Sequence, residues 1–112
     1  MNKEEIKEIC KLQHKDIIYK VLISKMPIAY TSFDAHNLER DMKIRNDYEE
    51  NQKELYKMVE KVGMKKIEET FGNPEIMKKE ENRFTYDDQR KATKEVIDKE
   101  LTLEEFFEKY KV

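Results

Sequence analysis

A stretch of about thirty residues, Ser32 to Val62, constrains the fold of this chain more than any other part. It begins on residues that favour helix starts and stops at Gly63. Only two glycines and two prolines stand among the 112 residues, which suits long helices and disfavours a many-stranded β fold. The two ends of the stretch carry side chains that pack: Leu38 and Met42 at one, and Leu55, Met58, Val59 and Val62 at the other. Its centre, Arg45 to Glu54, is almost wholly polar. The expectation is that both ends are buried and that Arg45 to Lys53 is solvated or faces a partner, with Tyr48 as its anchor. Asp34 is the predicted N-cap, with Ser32 as its rival. A heptad counted from Leu38 places Asp41, Arg45 and Gln52 on the seam, a poor coiled coil. Asp47 followed by Glu50 has capping-box spacing, so two helices broken near Asn46 are the alternative.

Upstream, Ile6, Ile9, Cys10, Ile17 and Val21 share one helical stripe, widened by Ile18 and Leu22, and Glu4 and Glu5 suit a first turn. Asp16 to Ile23 is rich in β-branched residues, so a hairpin over about 17–33 competes with helix. Helix through Ser24 is favoured, ended by Pro27. Downstream, Met64 to Phe71 reads as a short helix. Gly72 ends it, Asn73 caps the next helix, and Pro74 occupies that helix's first position, with Ile76 and Met77 as its apolar residues. Thr85 to Asp88 opens a further helix carrying Tyr86, Ala92 or Thr93, Val96 and Ile97. Thr102 to Glu105 is a capping box that starts a last one, with Leu103, Phe106, Phe107 and Tyr110. The prediction is one all-α domain, residues 1–112, a small bundle of five to six helices around a long central helix.

Charged residues make up 43% of the chain and the hydrophobic set 38%, a balance near the disordered limit; eleven aromatics and regularly spaced aliphatics argue for a folded core. The net charge of −2 is spread evenly along the sequence, giving little steering toward nucleic acid or membrane. One cysteine, Cys10, excludes an internal disulfide and fits a reducing compartment. There is no signal-peptide pattern, and the longest apolar run, Val21 to Ile23, is far short of a span, so a cytoplasmic location without membrane contact is expected.

Catalytic and metal chemistry find little support. A carboxylate di-metal site needs Glu-x-x-His, but Lys11 and Phe33 stand three residues before His14 and His36. His36 with Glu39, and Cys10 with His14, each supply only two ligands, so no metal or cofactor is expected. His14 is expected at the core edge or on the surface, and Cys10 on the apolar stripe is expected to be an inert buried thiol. Gly63 and Gly72 stand alone and do not form a phosphate loop.

Two binding modes remain. Met64–Phe71, Gly72-Asn73 and Pro74–Glu81 have helix-turn-helix spacing, with Lys65, Lys66, Lys78, Lys79 and Arg83 as phosphate contacts for a DNA-binding regulator. Glu75, Glu80 and Glu81 oppose that reading. The favoured mode is a non-enzymatic protein-binding module acting as a subunit, adaptor or inhibitor of another protein or a ribonucleoprotein. Tyr30, Phe33, Phe84, Tyr86, Phe106, Phe107 and Tyr110 gather at helix starts and at the C-terminus, where aromatics anchor interfaces. Tyr48, Phe106, Phe107 and Tyr110 are the predicted partner-binding residues, with a dimer mate as an alternative occupant. The Lys, Glu, Ile, Asn and Met bias is that of an AT-rich genome. Motif-poor chains of this size recur among phage and mobile-element accessory proteins, including inhibitors of host defence of the anti-CRISPR kind.

Overall fold

The computed structural model describes residues 1–99 together with Glu105, and these are helical without a strand. Helix α1 (Lys3–Ser24) starts at Asn2. The Asn2 side chain accepts the Glu5 N–H at 2.8 Å, and the Glu5 carboxylate accepts the Asn2 N–H at 3.2 Å. This reciprocal pair satisfies two N–H groups that the first turn leaves free. The β-branched segment that competes for a hairpin over 17–33 is helical through Ser24, so the hairpin is not formed. Local β preference gives way because Ile18 and Tyr19 are buried in the helical register.

The central helix also differs from expectation. A single 3-10 turn, Ala35–Asn37, leads into α2 (Leu38–Val62). Asp34 flanks that turn without capping it, and α2 passes through Asn46 unbroken. Gly63 separates α2 from α3 (Met64–Phe71) with φ of 93°, a value that side-chain-bearing residues avoid. Its N–H donates to the Val59 carbonyl at 2.7 Å and its own carbonyl accepts from Ile67 at 3.2 Å, so it closes one helix while opening the next. Asn73 caps α4 (Pro74–Met77), accepting the Glu75 N–H at 3.0 Å. α5 (Glu80–Lys99) begins well before Thr85, because the Asn82 amide donates to the Ile76 carbonyl at 3.0 Å and fastens the new helix to the end of α4. The segment predicted as one helix over 74–81 is therefore a single turn followed by a new start. The capping box at Thr102 and the C-terminal aromatics Phe106, Phe107 and Tyr110 lie outside the described residues.

α1 packs against both α2 and α5, and the molecule measures 53 × 29 × 19 Å. Ile6, Cys10 and Met77 form a buried cluster flanked by Met1, Phe71 and Tyr86, and Ile9, Leu12 and Ile18 continue the apolar interior along α1. His14, expected at the core edge or on the surface, is buried at 4% exposure.

α2 turns a line of residues at alternating spacings of three and four toward α1: Asp41, Ile44, Tyr48, Asn51, Leu55, Met58 and Val62. The expectation of a buried Leu38–Met42 end is overturned, since both side chains are exposed while Asp41 between them is 2% exposed. Asn51, predicted to be solvated, is 6% exposed, and its amide donates to the Leu12 carbonyl of α1 at 2.9 Å. Glu49 and Glu50 do face solvent. Tyr48 lies against Tyr19 with ring centroids 6.1 Å apart, and its hydroxyl accepts from Gln52 at 2.8 Å.

Two measurements probe this interior. Asn51→Ala removes the donor to Leu12 and leaves a small void, and is expected to lower unfolding free energy in urea by about 1–2 kcal/mol. An unchanged stability would show that the contact is not made. His14 gives the second. Burial pushes its ring from 6.5 down to about 4, so the folded protein holds it neutral. Below about pH 6.5 the unfolded chain takes up a proton that the folded chain refuses until about pH 4, so stability falls as pH drops through that window. Going from pH 7.5 to pH 5 is expected to remove about 2 kcal/mol through this group, and His14→Leu should flatten that part of the curve.

Candidate interaction surface

Between the end of α1 and the start of α2 the chain makes a ten-residue passage, 25–34, without regular structure apart from turns. The Lys25 and Met26 N–H groups bond back to Leu22 and Ile23 at 3.2 and 3.0 Å, and Pro27 stops the helix there. At its far end Asp34 folds the backbone into a turn. Its carboxylate accepts the Thr31 hydroxyl at 2.8 Å and the Thr31 N–H at 3.2 Å, while the Asp34 N–H donates to the Thr31 carbonyl at 3.0 Å. This occupation explains why Asp34 does not cap α2.

The middle of the passage is tied down by Tyr30. Its hydroxyl donates to the buried Asp41 carboxylate at 2.6 Å, and the Asp41 charge also receives Arg40 Nε and Nη2, both at 3.3 Å. The hydrogen bond to Asp41 holds the Tyr30 hydroxyl above its ordinary pKa. A charged acceptor gives a shorter and stronger bond than a neutral one, so this is the firmest single contact of the passage. Leu22, Met26, Pro27 and Ile44, with Arg40 and Asp41, line a cleft of about 550 Å³ beneath it.

With its turn and its centre held, the passage projects two large apolar side chains into solvent. Ile28 is fully exposed and Phe33 is 86% exposed. Leu38 and Met42 follow as exposed apolar residues on the first turns of α2. One exposed aliphatic is unremarkable on a soluble protein, but several within a short segment mark an interaction site.

The residues predicted from sequence are distributed differently. Tyr48 is half-buried and joins α1 to α2. Phe106, Phe107 and Tyr110 lie outside the described residues. Lys65 and Lys66 are exposed on α3, Lys78 and Lys79 on the turn after α4, and Arg83 on α5, where it pairs with Asp87 at 3.4 Å. The helix that directly follows the Gly72-Asn73 turn, α4, is four residues long rather than the eight expected over 74–81. Burial drives the Cys10 thiol up to about 12, leaving it protonated and unreactive. His36 is exposed, and among the described residues no three His, Cys, Asp or Glu side chains are grouped to hold a metal ion. Phe33 belongs to the aromatics singled out in the sequence, whereas Ile28 does not. The signal for Ile28 was its place between a helix-ending proline and an Asp-based turn, where an apolar side chain has no helix face on which to hide.

Comparison of the chain with protein-family models, curated proteins and solved structures finds no match. Among the described residues no helix is long and apolar enough to cross a membrane.

The tether makes a local prediction. Tyr30→Phe keeps the ring and removes the hydroxyl, and amide hydrogen exchange over residues 28–34 is expected to speed up about tenfold or more while exchange in α1 stays unchanged. Equal protection in both forms would show that the passage is held by something else.

Proposed function

We propose that this protein is a small non-enzymatic binding module that acts in the cytoplasm as a subunit, adaptor or inhibitor of a larger macromolecule, and that it grips another protein through residues 25–34. The observation that carries this reading is the pair Ile28 and Phe33, exposed on a passage whose backbone is fixed by Tyr30, Asp34 and Asp41. Fixing a loop in advance reduces the ordering that binding would otherwise require. An aromatic anchor that enters a partner's pocket then contributes a large share of the affinity. Inhibition of a host-defence protein or ribonucleoprotein is one role of this kind, suggested by the composition alone.

The test is affinity capture with matched baits. The wild-type chain should retain one dominant partner, and Phe33→Ala should weaken retention at least about tenfold, with Ile28→Ala weaker in effect. Lys61→Ala, on an exposed part of α2, should change nothing. A partner retained equally by all four proteins would rule out this surface as the contact.

A further inference from the structure

The passage between α1 and α2 carries its exposed side chains at the edge of an apolar cleft. Pro27 and Asp34 both line that cleft of about 550 Å³; Ile28 follows the first and Phe33 precedes the second. Leu22, Met26 and Ile44 supply apolar lining and are half-buried, so each keeps surface that a ring would cover. The volume is that of a small-ligand site and holds one phenyl group with ease. Phe33 nevertheless stands outside it, 86% exposed. Two fastenings hold it there. Asp34 and Thr31 fix the turn that contains Phe33, and the Tyr30 hydroxyl reaches Asp41, which is itself part of the cleft wall. The turn can move as a unit, so the 2.6 Å bond from Tyr30 to Asp41 sets where it stands. Breaking that bond does not strand the charge, because Arg40 Nε and Nη2 remain on the Asp41 carboxylate at 3.3 Å. Losing a hydrogen bond to a charged acceptor and burying one aromatic ring are free energies of the same order and opposite sign. A segment balanced in this way has two accessible states.

We infer that residues 28–33 are a latched strap. In its outer state Tyr30 grips Asp41 and Phe33 is presented to solvent. In its inner state Tyr30 lets go, and the Phe33 ring lies in the cleft against Leu22, Met26 and Ile44. The inner state hides the side chain on which the proposed function relies, so the latch governs binding without touching the partner. A partner that takes Phe33 binds the outer state alone, and its apparent affinity is reduced to the latched fraction of the chains. By the same linkage, a bound partner tightens the grip of Tyr30 on Asp41. This role in binding rests on residues 25–34 being the contact, whereas the movement itself does not and is measured without a partner.

The chain contains no tryptophan, so Phe33→Trp introduces a single indole that reports its own surroundings. With Tyr30 in place, the emission should be that of an exposed indole, freely quenched by acrylamide. Adding Tyr30→Phe keeps the ring at position 30 but releases Asp41. The emission should then move to shorter wavelength, and the quenching constant should fall at least about threefold. Adding Met26→Lys as well sets a charge on the cleft lining and should return the indole to solvent, with helical content checked by circular dichroism at each step. An indole quenched equally with and without Tyr30→Phe would show that the strap does not close. One that stays protected after Met26→Lys would show that it lies somewhere other than the cleft. Either result overturns the inference, and both leave the capture experiment with Phe33→Ala to be decided separately.

Discussion

The fold hangs on α1, which α2 and α5 use as a common packing surface. A helix that packs against two others must present apolar groups around much of its circumference, and α1 does so with Ile6, Ile9, Cys10, Leu12, Ile18 and Tyr19. That demand also explains its β-branched composition around residue 20. Such residues are neutral in a helix surface but pack densely when the helix is enclosed. The partner helices pay less attention to apolarity. α2 places Asp41 and Asn51 on its contact line, and α5 contributes buried Asn82 and Thr85.

Those polar contacts are what give the packing its register. An apolar seam tolerates sliding by a turn, whereas a buried amide that has lost its acceptor loses its hydrogen bond and remains desolvated. Asn51 fits only where it reaches the Leu12 carbonyl, so it selects one axial setting of α2 on α1. Asp41 has a comparable role at the other end of α2. Its carboxylate is inside the molecule, and the Tyr30 hydroxyl and the Arg40 guanidinium arrive to meet it. Burial of that charge thereby determines where the passage from 25 to 34 must run, and consequently which of its side chains are turned outward.

The sequence disclosed the parts of this fold that rest on backbone chemistry. Gly63, the Gly72-Asn73-Pro74 junction and the start of α1 are marked by residues whose backbone or capping preferences leave few choices, and each falls where expected. Cys10 was legible because it stands on the apolar stripe beside Ile6 and Ile9. The register of α2 was not legible, because Leu38 and Met42 are the apolar residues at its start and a pattern argument assigns apolar residues to the interior. The structure instead buries Asp41, whose partners Tyr30 and Arg40 lie outside the helical periodicity that the pattern samples. Asn51 was missed in the same way, since its partner is a carbonyl 39 residues distant. Tyr48 was singled out as a large side chain in a polar span, and its half-buried ring lies against Tyr19 of α1.

Once the polar residues are assigned inward, the apolar residues left outside acquire a meaning that composition could not give them. Leu38 and Met42 are not failed core positions; the interior at that end of α2 is already filled by a tethered carboxylate. Ile28, Phe33, Met42 and Tyr56 stand exposed in a chain that is 43% charged, where a polar side chain would be the ordinary occupant of such positions. These four residues also fall in two places with different mechanics. Ile28 and Phe33 are carried by a passage that depends on a few hydrogen bonds, so its shape responds to whatever perturbs Asp41. Met42 and Tyr56 are carried by the middle of a 25-residue helix, whose spacing is fixed by the backbone itself. The first kind of surface can change shape with its tether, whereas the second keeps the spacing of the helix that carries it.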